Sequence, residues 1–237
     1  MNARSGDQIP ALRVVIISAG LSEPSSTRLL ADRTAQKTVD LLRERDMPAS
    51  VSVVELAPLA VDIAQALVSG FPSQRLQAMI VRAAEADALI VSTPVYKAAV
   101  SGLFKSFIDL LDNDLFIGKP TVLLATAGTA RHSMVVDEHL RPLFAFMRAL
   151  SVPTSLFAAP EDWGARDLNA RIERAAMELV ILLRGGTGDS IAESGWAAYR
   201  HQFAGNAPRA DRGSGDVDFG TDLMQLATGG KHGGPGP

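Results

Sequence analysis

The chain has 237 residues, 47% hydrophobic and 21% charged, enough to close one substantial core but only two cramped ones. It contains no cysteine, which excludes a disulfide framework, a thiolate-ligated cluster and a cysteine nucleophile, and leaves any redox chemistry to a bound cofactor. A formal charge of −3 gives no field that would hold a polyanion by counterion release, so nucleic acid is not an expected partner.

The first apolar run, Val14 to Ile17, is far too short to span a bilayer, and the N-terminus lacks a basic-then-apolar signal pattern, so a cytoplasmic protein with no membrane contact is expected. Strands are predicted at Arg13 to Ser18, Val51 to Leu56, Ala88 to Thr93, Pro120 to Ala125 and Pro153 to Phe157, mostly near-continuous apolar runs of the kind covered on both faces. Between them lie helical stripes. Ala31, Ala35, Val39 and Leu42 follow the first strand, and two short helices, Val61 to Val68 and Arg75 to Ala86, are broken at Ser69-Gly70-Phe71-Pro72. Leu103, Phe104, Phe107, Leu110 and Leu111 oppose a polar row of Lys105, Asp109 and Asp112. Val136, Leu140, Leu143, Met147 and Leu150 form the next stripe, and Leu168, Ile172, Ala175, Leu179 and Leu182 the last. Strands alternating with helices in this way predict an α/β fold with a parallel sheet.

The expected division is an N-terminal extension over 1–12, one domain over 13–184 and a Gly-rich, partly mobile tail over 185–237. Within the tail, Trp196, Tyr199 and Phe203 recur at helical spacing, and Val217, Phe219, Leu223 and Leu226 form a second apolar group. These residues suit packing on the domain's own surface or on a second subunit.

Ligands of open parallel sheets sit beyond the carboxyl ends of the strands. After the first strand, Ser18-Ala19-Gly20-Leu21-Ser22-Glu23-Pro24-Ser25-Ser26-Thr27 lacks both G-x-G-x-x-G and G-x-x-x-x-G-K, which disfavours a dinucleotide pyrophosphate or a nucleoside triphosphate there. Hydroxyls and backbone N–H groups at a helix N-terminus suit a monophosphate, although serines also simply cap helices. After the third strand, Pro94 is expected to send the chain off the sheet, Tyr96 to wall a planar ring and Lys97 to offer positive charge, with Ser101 and Gly102 opening the next helix. After the fourth, Thr126-Ala127-Gly128-Thr129 exposes backbone N–H groups suited to a ring edge that becomes negative on reduction. Arg131 could strengthen that field. His132 is a candidate proton relay or a structural hydrogen-bonding partner, and with His139 it makes no persuasive metal site, so none is expected.

The Ser-rich loop, T-P-V-Y-K-A-x-x-S-G-L-x-K and T-A-G-T-x-x-H, in that order, resemble the NAD(P)H-dependent FMN reductase family, best the branch supplying reduced flavin to two-component, luciferase-like or sulfonate monooxygenases. The resemblance runs from about Arg13 to Trp163. It implies a flavodoxin-like three-layer sandwich with a five-stranded parallel sheet in the order 2-1-3-4-5. It also implies FMN binding by Ser18, Gly20, Ser25, Ser26 and Thr27 around the phosphate, by Pro94, Val95, Tyr96 and Lys97 along the ribityl chain and ring, and by Thr126, Ala127, Gly128 and Thr129 at the pyrimidine edge. Ala127 stands where the family commonly has glycine. Some relatives carry an inserted tyrosine in the fourth helix, and Val136-Asp137-Glu138-His139-Leu140 has none.

Such a reductase passes a hydride from NADPH or NADH to FMN without an essential acid or base, which fits the lack of a triad or carboxylate pair. The expected partners are these small molecules, a second copy in a homodimer or homotetramer, and a flavin-dependent monooxygenase. A quinone or azo-compound reductase and a non-enzymatic flavodoxin-like electron carrier are the alternatives. Gly188-Asp189-Ser190-Ile191 follows no strand and is a poor hydrolase elbow.

Overall fold

A computed structural model describes residues 11–196. In chain order these form β1 (Leu12–Ser18), α1 (Ser26–Arg43), β2 (Ala49–Glu55), α2 (Ala60–Ser69), α3 (Gln74–Ala84), β3 (Ala88–Tyr96), β4 (Ala99–Val100) and α4 (Gly102–Ile108). They continue with β5 (Pro120–Thr126), α5 (Arg141–Phe146), β6 (Leu150–Ser151), β7 (Leu156–Ala158), α6 (Arg166–Arg184) and α7 (Thr187–Ser190). The sheet runs β2-β1-β3-β5, with β6 and β7 sharing the last position beside β5, all parallel. This is the flavodoxin-like order expected, carried by more segments than five.

Alternation along the central strands divides the core between two faces. Val15 and Ile17 of β1, Leu89 and Val91 of β3, and Leu123 and Ala125 of β5 face the layer of α2, α3, α4 and α5. Val14, Ile16, Ile90, Val122 and Leu124 face α1 and α6. Phe144 of α5 stacks between Phe104 and Phe116, with centroids at 6.4 and 5.9 Å. The α1 stripe is wider than its apolar residues announce. Thr34 and Thr38 are fully buried because their hydroxyls donate to the Leu30 and Thr34 carbonyls, leaving methyl groups to pack, whereas Val39 is half-buried.

Four expectations need correction. The strand does not turn at Pro94: β3 continues to Tyr96, with Pro94 opposite Thr126, because a fixed φ near −65° is compatible with extended backbone. The single strand predicted at Pro153 to Phe157 is two short ones, since Pro153 has no N–H to donate. Arg141 holds the gap, donating to the carbonyls of Val152 at 3.0 Å and Pro153 at 3.1 Å and to the Ser155 hydroxyl at 2.6 Å. The stripe from Val136 to Leu150 is not one helix. A π-helical turn over Val136–Leu140 leads into α5 at Pro142, whose missing N–H cannot serve the Glu138 carbonyl, and Leu150 belongs to β6. Asp112, placed in an exposed row by its spacing, is 7% exposed.

The folded backbone also extends past Arg184. After α6, α7 and a π-helical turn at Ile191–Gly195 pass beneath the start of β5, where Gly188 meets the backbone of Gly118 with no room for a Cβ on either residue. Ala192 is buried, and the Trp196 ring lies under the Arg148 guanidinium at 4.8 Å. Arg148 in turn binds Asp114 at 2.7 Å. Trp196 thus packs on its own domain. Tyr199, Phe203, Val217, Phe219, Leu223 and Leu226 lie outside the described residues.

Candidate functional site

The loop from β1 to α1 is built around Ser25. Its extended backbone places it as the N-cap of α1, where its hydroxyl accepts from the Arg28 N–H at 3.2 Å and its carbonyl from the Leu29 N–H at 2.9 Å. The remaining first-turn donors, the N–H groups of Ser26 and Thr27, have no intrahelical acceptor. Gly20 lies directly against this cap: a Cβ built there would collide with the Ser25 hydroxyl. The loop is clipped at its base by the Ala19 N–H donating to the Ser92 carbonyl at 3.0 Å and the Ser92 hydroxyl donating to the Thr27 carbonyl at 2.8 Å.

Thr27 sits in the predicted place with its side chain turned the other way. It is 3% exposed, and its hydroxyl shares a hydrogen bond of 2.7 Å with that of Thr126. The pair fastens α1 onto β5 and buries the Thr27 side chain, so the backbone N–H is what Thr27 presents at the helix N-terminus. Ser18, Gly20 and Ser25 line a cavity of about 420 Å3 on the β2 side of the loop, together with Arg28, Glu55 and Pro58. Arg28 pairs there with Asp32 at 2.7 Å and with Glu55. Burial pulls its pKa down, but the hydrogen bonds and charges of Asp32 and Glu55 outweigh this and hold it above the ordinary arginine value.

On the other flank, β3 turns back into β4 through Lys97 and Ala98, with φ of 52° and 61°. Two consecutive left-handed residues form the tight hairpin turn that suits strand twist, usually reserved for Asn-Gly. The hairpin is tied at its base, where the Thr93 hydroxyl donates to Ser101 Oγ at 3.3 Å and accepts from the Ser101 N–H at 3.2 Å. Ser101 then caps α4, as expected, by accepting from the Phe104 N–H at 3.2 Å. Pro94 and Val95 are buried, and the Val95 side chain belongs to the core. Tyr96 and Lys97 are exposed at the strand end.

One strand further, Ala127 closes β5 by donating to the Ala158 carbonyl at 3.2 Å. Gly128 is exposed, and a Cβ added there meets nothing within 4 Å. Thr129 caps the short turn at Ala130–His132, accepting from the Arg131 N–H. Arg131 is exposed and His132 half-buried. Among the described residues no group of three His, Asp or Glu side chains could hold a metal, and no helix is long and apolar enough to cross a membrane.

The fold therefore brings three segments to one sheet edge, through the order β1-β3-β5. Ser25, Ser26 and Thr27 stand beside Tyr96 and Lys97, and these beside Ala127, Gly128 and Thr129. At this edge the side chains of Val95, Thr27 and Thr126 are buried and not open to a ligand. Sequence reasoning missed Ser92, Thr93 and Ser101 as the fasteners, although hydroxyls ending an otherwise apolar strand were the available signal. The residues fit FMN: unpaired donors at a helix N-terminus suit its phosphate, and the uncrowded space over Gly128 suits a flat ring edge.

Residues 12–164 match the family described as NADPH-dependent FMN reductase. An "FMN reductase (NADPH)" of Pseudomonas aeruginosa is 34% identical over 180 residues, covering 73% of this chain and 93% of the relative. The "NADH-dependent FMN reductase SfnF" of Pseudomonas putida is 37% identical over 169 residues, covering 71% and 87%. A crystal structure of an oxidoreductase from Corynebacterium diphtheriae superposes with a TM-score of 0.72 at 44% identity, covering 74% of this chain and 98% of that one. Motif order, sheet topology and these likenesses agree: the chain belongs to the NADPH-dependent FMN reductase family.

Proposed function

We propose that this chain takes electrons from a reduced nicotinamide dinucleotide and delivers them to FMN held across the ends of β1, β3 and β5. The observation that carries the reading is the pairing of two features on one edge: the first-turn N–H groups of α1 and the exposed, uncrowded face of Gly128. When bound, FMN supplies the hydride-accepting ring, so the protein needs only to bind and orient. The Ser26 and Thr27 N–H groups and the Ser25 and Ser26 hydroxyls receive the phosphate. Each hydrogen bond to a charged group contributes about 1.5–3 kcal/mol, and the helix terminus about 0.3–1 kcal/mol more. A few such contacts give micromolar affinity, compatible with release of the reduced product. Tyr96 offers an apolar wall, and the backbone donors of Ala127 to Thr129 are fixed in advance for a ring edge gaining negative charge.

In this reading the reduced flavin goes to a flavin-dependent monooxygenase, and the chain works in the cytoplasm as a homodimer or homotetramer. The resemblance of its three motifs supports both. Mixing the protein anaerobically with FMN and NADPH or NADH should bleach the visible flavin absorbance at a rate proportional to enzyme. A strong preference for a quinone over free FMN would overturn the reading in favour of a quinone reductase.

A further inference from the structure

The ligand edge is electrically divided. On the β1 and β2 side, Glu23, Asp32 and Glu55 line one cavity with a single cation, Arg28, which Asp32 and Glu55 already engage. On the β3 and β5 side, the loop residues 93–101 and 126–135 carry Lys97, Arg131 and His132 and no carboxylate. Among the described residues, neither Lys97 nor Arg131 has an ion-pair partner. Lys105 on α4 and Arg141 on α5, by contrast, are paired with Asp109 and Asp137.

The backbone positions of these two cations are fixed, while their side chains are exposed. Lys97 occupies a left-handed position in a two-residue turn whose base is tied by Thr93 and Ser101. Arg131 stands in a one-turn helix capped by Thr129. Pro94 is opposite Thr126 in the sheet, so the two loops rise side by side, and β4 packs against the π-helical turn that follows Arg131. The phosphate of FMN is served at α1, on the far side of Tyr96. Positive charge left unpaired beyond the ring edge therefore has a different anion to meet.

We infer that Arg131, with Lys97 on the loop of the adjacent strand, forms a cationic subsite for a phosphate of the nicotinamide donor. This rests on the proposed flavin reading and adds to it a residue that discriminates between donors. The phosphate is either the 2′-phosphate, present in NADPH and absent from NADH, or the pyrophosphate common to both. The relatives' names divide between the two donors, so similarity alone gives no preference.

The test is calorimetric titration of the FMN-loaded protein with NADP+ and with NAD+, in the wild type, Arg131→Gln, Arg131→Lys and Arg131→Gln with Lys97→Gln. Loss of one charge-assisted hydrogen bond should weaken binding about tenfold or more. Weakening confined to NADP+ assigns the 2′-phosphate, and the same weakening for both ligands assigns the pyrophosphate. Arg131→Lys should restore part of the loss, and added salt should weaken the wild type more than the double variant. Affinities for both dinucleotides within about twofold of wild type in every variant would overturn the subsite. FMN binding is measured separately in the same samples. If the wild type fails to bind FMN, the flavin reading falls; if FMN binds and dinucleotide affinity is indifferent to Arg131, only the subsite falls.

Discussion

Replacing Gly20 by alanine should damage the phosphate end of the site through one neighbouring hydroxyl. A Cβ at Gly20 would overlap the Ser25 hydroxyl and approach Ser25 Cβ at 3.1 Å and Thr27 Cβ at 3.4 Å. Thr27 is anchored on Thr126 and cannot yield easily, so Ser25 must rotate. Its hydroxyl then abandons the Arg28 N–H that it caps at 3.2 Å. Losing such a cap costs about 1 kcal/mol, which in a chain of this size lowers Tm by roughly 2–4 °C. The same rotation removes a hydroxyl from the phosphate, and one hydrogen bond to a charged group is worth about tenfold or more in Kd. Thermal melting of the apoprotein and a fluorescence titration with FMN read the two effects. Ser25→Ala removes the hydroxyl without the overlap, so Gly20→Ala combined with Ser25→Ala should behave like Ser25→Ala alone in both assays. Additive losses in the double variant would show that Gly20 acts by another route and refute the reasoning.

Three further outcomes are expected. Gly128→Val places a branched side chain in space where no protein atom lies within 4 Å; apoprotein Tm should stay within about 2 °C while flavin reduction slows, and full activity would show that the ring edge lies elsewhere. For Asp137, burial raises the pKa, but the hydrogen bonds from Ser155 and Arg141 and the charge of Arg141 outweigh it and hold the carboxyl below its ordinary 3.8. Its stabilisation is thus present above that value and lost as pH falls through the lower, folded-state value. Asp137→Asn should melt earlier than wild type at pH 6, by less than about 1 kcal/mol because the carboxylate is nearly half exposed to screening water, and the gap should close below about pH 4. Trp196→Ala removes the ring beneath Arg148; Tm should fall by a few degrees, about 0.5–2 kcal/mol, with FMN affinity unchanged, since this contact lies at the opposite edge of the sheet.

The central strands were legible because both faces are covered, which makes β1, β3 and β5 read as unbroken apolar runs, while their order came from the resemblance carried by the three loop motifs. The loops at the ligand edge followed directly, since parallel strands all end on the same side. What stayed hidden was set by tertiary contacts that no local pattern encodes. Lys97-Ala98 is no usual turn pair, and the hairpin exists because Thr93 and Ser101 close its base. Thr27 and Thr126 are 99 residues apart, so nothing near either one says that their hydroxyls meet. The packing of α7 depends on two glycines, Gly118 and Gly188, whose contact is likewise non-local. Val95 and Tyr96 illustrate the remaining difficulty: both lie on the predicted loop, but strand alternation continued past Pro94, turning one into the core and leaving the other at the surface.

The central claim is that an anionic end is received at the N-terminus of α1, and comparing FMN with riboflavin isolates that end. Titrating the purified protein with each flavin and following quenching of flavin fluorescence should give micromolar affinity for FMN and binding of riboflavin weaker by at least about tenfold. Equal affinity for the two, or no binding of FMN, would contradict the account.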